Sequence, residues 1–214
     1  MKKVFLAFFS AFLLLNAFPQ SSENRFENRK NTGYYNITQI SMLMGNRKTA
    51  DQYYNYIRNN MQVSPSVTMV NGSMFSEGWG IGIGVGFEIF EHNIFPVFAD
   101  IRYTVWDNNI SPFFVLKMGY AFSDFKKKHY DNLSLNHVPY WINNAYYMKD
   151  GGFMLNPEMG VKVPLSKKAD LLLTLAYRHQ KTKSTVSQDF GQRYKWEHNV
   201  DLNRLSLGVA IMFR

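Results

Sequence analysis

The chain has 214 residues, enough for one domain and a processing segment. It holds no cysteine, which excludes a disulfide scaffold, thiolate metal sites and a cysteine nucleophile. Aromatic residues at 16% exclude a disordered chain. The net charge is +8, but only 19% of residues are charged and 46% are apolar, with no apolar run beyond the N-terminus long enough for a membrane helix.

The first element is an address. Lys2 and Lys3 form a positive start, Val4 to Leu15 an apolar stretch broken only by Ser10, and Leu15-Asn16-Ala17 a small-residue cleavage point. This pattern predicts a secretory signal peptide over residues 1–19. Its removal takes two lysines and leaves an excess of +6. No cysteine follows it, so a lipoprotein anchor is excluded. Residues 20–33 are polar and unpatterned and read as a flexible periplasmic lead-in, with the remaining 34–214 as one domain.

From Gly33 onward the apolar period is two, as in strands, not 3.6. The first strand, about Tyr34 to Gly45, sets Ile40, Met42 and Met44 against Gln39 and Ser41. The second, about Ser66 to Phe75, is weakly patterned. The third sets Trp79, Ile81, Ile83, Val85, Phe87 and Ile89 against four glycines and Glu88. The fourth sets Val97, Ala99, Ile101 and Tyr103 against Asp100, Arg102 and Thr104. The fifth opposes Phe114, Leu116, Met118, Tyr120 and Phe122 to Lys117, Gly119 and Ala121. The sixth opposes Phe153, Leu155, Met159, Val161 and Val163 to Asn156, Glu158, Gly160 and Lys162. The seventh opposes Leu171, Leu173, Leu175 and Tyr177 to Thr174, Arg178 and Gln180, and the eighth opposes Leu205 through Phe213 to Arg204, Ser206, Gly208 and Ala210.

Short turns lie after Phe75, at Trp106 to Ile110 and at Pro164 to Asp170. The other connections run long, about Asn46 to Pro65, Ser123 to Gly151 and Thr182 to Asp201, apart from a short one near Glu91 to Phe95. Short turns at one end and long loops at the other predict an all-β, eight-stranded antiparallel up-and-down transmembrane β-barrel. Its apolar face is nearly free of charge. The other face carries Glu88, Asp100, Arg102, Lys117, Glu158, Lys162, Arg178 and Arg204. A lone charge is costly away from water, so these eight are expected to pair as a lumen network. Five are basic and three acidic, which calls for water or a further partner.

The glycines at 80, 82, 84 and 86 lie within a strand and precede no helix, so a phosphate cradle is not expected; they make room in a narrow barrel. Tyr34, Tyr35, Trp79, Tyr103, Trp106, Tyr177 and Phe213 lie near strand ends and are expected in interfacial girdles. Asp107, Asp124, Asp131, Asp150 and Asp170 fall in turns or loops, where Asp is ordinary.

The stretches Gly33-Tyr34-Tyr35-Asn36-Ile37-Thr38-Gln39-Ile40, Val70-Asn71-Gly72, Gly82 to Phe87, Phe95 to Tyr103, Ser111-Pro112-Phe113 and Gly152 to Pro157 span most of the chain. In them it resembles the uncharacterised eight-stranded outer-membrane β-barrels of Bacteroides-type bacteria, OmpX/OmpW-like in architecture. The resemblance implies a Gram-negative outer-membrane compartment, with outer-membrane lipid and lipopolysaccharide as surroundings, and almost nothing about activity. The C-terminal alternation resembles the signal read by the barrel-assembly machinery, although Phe213 is penultimate and Arg214 last.

An eight-stranded barrel leaves a lumen just filled by side chains. The expected role is therefore a non-enzymatic structural or surface-interaction scaffold. Its loops would act through Lys126, Lys127, Lys128, Trp141, Arg193, Lys195 and Trp196, basic and aromatic residues suited to anionic glycolipid. One alternative is a narrow small-solute channel. Another is a lipid-modifying enzyme of the lipid A deacylase kind, but around His179 the His-x-Ser pattern fails because position 181 is Lys. A soluble barrel binder would need a charged exterior, against the placement of Lys162, Arg178 and Arg204. Export argues against a nucleic-acid partner, and no histidine spacing marks a metal or cofactor site.

Overall fold

The computed structural model describes residues 32–45, 63–75, 78–89, 93–105, 110–123, 145–190 and 192–214, with backbone alone for 145–150, 183–190 and 192–200. The strands are β1 (Gly33–Gly45), β2 (Val63–Met74), β3 (Trp79–Ile89), β4 (Asn93–Thr104), β5 (Ser111–Ser123), β6 (Ala145–Asp150), β7 (Gly152–Pro164), β8 (Ala169–Phe190) and β9 (Gln192–Phe213). All pairings are antiparallel. Eight of the nine close a barrel: β1 to β5 pair in order, β5 pairs with β7, β7 with β8, β8 with β9, and β9 with β1. At the seam Ile37 stands opposite both Val70 and Met212. Closure leaves no free edge in the barrel wall.

Tight connections hold one end. The Phe75 amide donates to the Trp79 carbonyl at 2.7 Å, Val105 to Pro112 at 3.0 Å and Leu165 to Ala169 at 2.9 Å. Gly78 has φ +82°, and a Cβ there would meet the Thr104 carbonyl. Both the first and last strands also have their outer termini at this end.

The opposite end departs from expectation. The stretch Thr182 to Asp201 is not a loop. Its backbone continues the β8–β9 pairing from Thr182 opposite Val200 to Phe190 opposite Gln192. Residues 145–150, expected inside a long loop, form β6, which pairs with the extended part of β8. A barrel-spanning strand shows itself by an apolar face. This ribbon (TKSTVSQDF) has polar residues in both phases, so period-two hydropathy does not reveal it, although Thr182, Thr185 and Val186 suit a strand. The second strand also starts earlier than expected, at Val63.

Between the Asp150–Lys183 and Met154–Gln180 pairs, four steps on one strand face three on the other, which is a β-bulge. Gly151 and Gly152 occupy it, and a Cβ on Gly152 would collide with the Lys181 carbonyl. The bulge is where β6 departs from β7.

The faces are inside-out relative to a water-soluble barrel. Ile40, Met42, Ile81, Ile83, Leu207 and Val209 are exposed on the outside, Ile83 at 69%. All eight charges of the expected network are buried inside. Buried apolar side chains lie toward both ends of the interior. Tyr35, Ile37, Val70, Met74, Phe113 and Met212 belong to a core reaching the short-turn end. Ile94, Ala121 and Leu202 form a smaller cluster toward the other.

The third strand explains how a narrow tube holds so many large groups. A Cβ on Gly80 would meet Met74 and Arg102, on Gly82 the Tyr35 hydroxyl, on Gly84 the Phe98 ring and on Gly86 Thr68. The bare glycine wall is therefore the space that these side chains occupy.

Candidate functional site: the polar column inside the barrel

The inward charges form separate groups. Near the short-turn end, Arg102 forks onto Asp100, its Nε donating to Oδ1 at 2.8 Å and its Nη2 to Oδ2 at 2.9 Å. Asp100 and Arg102 are two apart on β4, so both point inward, and the bidentate geometry gives a strong charge-assisted contact. The Tyr35 hydroxyl donates to Asp100 at 3.3 Å, and the Arg102 guanidinium lies 4.8 Å from the Tyr35 ring centroid.

In the middle, the Lys117 ammonium meets Glu158 at 2.8 Å and Gln39 Oε1 at 2.7 Å. The Gln39 amide then donates to Glu158 at 3.3 Å and to the Thr174 hydroxyl at 3.0 Å. Four strands thus meet through one amide. Gly208 makes this possible, since a Cβ there would meet both Thr174 Oγ1 and Gln39 Nε2.

Toward the opposite end, Glu88 is the carboxylate for two guanidiniums. It is ion-paired with Arg178, and Arg204 stands 3.7 Å away. Arg204 also donates to Gln180 Oε1 at 2.9 Å. Lys162 is buried on β7, opposite Ser111 in register.

Two expectations are corrected. Asp170 is not a solvated turn residue. It is the second residue of β8, is fully buried and pairs with Arg214 at 3.2 Å. Tyr35 is no girdle residue. It shares the parity of Gln39 and Ser41 and points inward, whereas Tyr34 and Phe213 face outward, as does Trp79, whose ring lies 4.8 Å from that of Tyr103. Strand parity was the available signal for both, since Asp170 shares the phase of Thr174, Arg178 and Gln180. Gln39, Thr174 and Gln180 were on the correct face, but their part in binding the charges emerges only from cross-barrel contacts.

Between the middle group and Arg178 lies a cavity of about 20 Å³, lined by Gln39, Ser41, Thr68, Lys117, Glu158 and Arg178 among others. This is room for a water or a small ion, not for an organic substrate. His179 faces the other way. Its Nδ1 lies 2.8 Å from Asn203 Oδ1, so that nitrogen meets an amide in place of a hydroxyl or carboxylate. Among the described residues no cluster of His, Asp and Glu could hold a metal ion.

The surface residues expected in loops fare differently. Lys126, Lys127, Lys128, Trp141 and Trp106 lie outside the described residues. Arg193, Lys195 and Trp196 fall on the paired backbone of β9, not in a loop.

No family model matches this chain, and no curated protein matches it. Solved structures do match. The outer membrane protein OprG from Pseudomonas aeruginosa shares 13% identity, with 86% of this chain and 97% of that one covered, at a TM-score of 0.54. Neisserial surface protein A shares 10% identity over 85% and 96%, with a TM-score of 0.52. The outer membrane protein AlkL in lipid bilayers shares 13% over 89% and 94%, with a TM-score of 0.51. At such identities the shared property is the fold.

Proposed function

We propose that the protein is a non-enzymatic outer-membrane barrel of a Gram-negative cell, with the lumen plugged by its own polar column and the long connections at the cell surface. One observation carries this reading: the exposed apolar wall encloses a charged interior. Lipid is the solvent that stabilises that arrangement, because a closed barrel satisfies every backbone group internally. The stretches resembling Bacteroides-type barrels support kinship with that group, and the C-terminal alternation supports delivery by the barrel-assembly machinery. Single-channel recording in planar bilayers tests the plug. The expected outcome is no stable large conductance, and a persistent one overturns the reading.

The partner proposed for the surface is anionic lipopolysaccharide, engaged by Lys126, Lys127 and Lys128. Exposed charges are screened over about 10 Å at 0.1 M salt. Retention of lipopolysaccharide by the purified protein should therefore fall as salt rises and fall again when the three lysines become Gln. Retention indifferent to both removes this partner.

A further inference from the structure

Several of the polar groups that line the cavity beside the middle group are donors. Arg178 lines it and is buried, and its Nε and Nη2 have no hydrogen-bond partner. Thr68 lines it from the facing wall, and its buried Oγ1 also has none. Lys117, Ser41, Ser66 and Ser206 add further donors, and Leu43, Pro96, Phe98 and Met154 supply apolar walls. Glu158 is the carboxylate in the lining, and it is held by Lys117 and the Gln39 amide. On the far side of Arg178, its partner Glu88 also stands near Arg204.

Such a site selects for sign. Buried donors left without acceptors are costly, and more so when charged. A water could accept from two of them but would bring no charge to the Arg178 guanidinium. A cation would face Arg178 and Lys117 directly. The room is of the order of one water, which favours a compact anion over a large organic one. We infer that the cavity is a binding site for a monatomic monovalent anion of the halide class, held by Arg178, Thr68 and Lys117. The inference concerns the barrel interior alone and does not depend on what the surface binds. It makes the plug an ion-loaded structure: the anion would supply the acceptor that the protein does not.

Bromide is the probe. Crystals of the full chain grown in sodium bromide should show an anomalous peak within contact distance of the Arg178 guanidinium. Thermal unfolding of the detergent-solubilised protein should shift upward and saturate with bromide or chloride, while sodium gluconate at the same ionic strength does not reproduce the shift. Arg178→Gln should abolish both signals. Because that change also frees Glu88 and can prevent folding, Thr68→Val provides the second variant. It keeps the shape and every ion pair and should reduce the peak and the halide-specific shift by several-fold. Absence of the peak, a shift matched by gluconate, or signals unchanged in Thr68→Val would overturn the assignment.

Discussion

The two faces of the barrel wall obey different rules, and β3 shows both within eleven residues. Outward it carries Trp79, Ile81, Ile83, Val85, Phe87 and Ile89, a row whose members need only be apolar. Inward it carries four glycines and Glu88, each fixed by a particular neighbour: Arg102 and Met74, Tyr35, Phe98, Thr68, and the Arg178–Arg204 pair. The outside is specified by a solvent, so many residues serve. The inside is specified by other side chains, so few do. Chemical identity is therefore concentrated on the face that lipid never touches.

The largest expected effect comes from breaking the inner face where one group serves two. Glu88→Gln removes the carboxylate that is ion-paired with Arg178 and stands beside Arg204. The expected loss is about 3–5 kcal/mol of folding stability, as for other buried pairs deprived of one partner. Denaturant unfolding of the barrel refolded into lipid vesicles measures it. A loss below 1 kcal/mol would mean that the inner face tolerates substitution as the outer one does.

Ile83→Arg tests the outer rule at mid-strand. A basic charge facing lipid near the midplane should cost about 2–4 kcal/mol in the same assay. Ile83→Leu should be close to neutral there, and equal losses for both would show that shape, rather than solvent, governs this face. The smallest of the three effects belongs to Gly84→Val, which intrudes on Phe98 and should cost about 1–3 kcal/mol through overpacking. The double change Gly84→Val with Phe98→Ala should recover part of that loss. No recovery would mean that the glycine serves the backbone and not the ring.

The contrast also explains what could be read from the chain. The barrel was legible because lipid imposes one requirement on every second residue, and Leu205 through Phe213 or Trp79 through Ile89 display it without reference to anything else. The inward set of charges followed from the same parity. Their pairing did not. Lys117 and Glu158 lie 41 positions apart, and Gln39 and Thr174 lie 135 apart, so their contacts exist only once the barrel closes. Asp170 was masked by its place beside a turn, where an exposed Asp is the ordinary case, although it shares the phase of Thr174. The β8–β9 ribbon was hidden because its sequence is polar in both phases. Hydropathy periodicity marks a strand only where its two faces differ, so a strand polar in both phases leaves little trace.

That ribbon sets a height. Beyond Lys181, nine further residues of β8 pair with β9, and at about 3.3 Å per residue they extend roughly 30 Å along the strand direction. On the proposed reading, which puts the long connections at the cell surface, this length would carry the tip near Asp189 and Arg193 away from the mouth of the barrel. An antibody raised against the tip should therefore stain intact cells, even those whose sugar coat masks the base of the barrel. What the ribbon meets first would be determined by reach before chemistry.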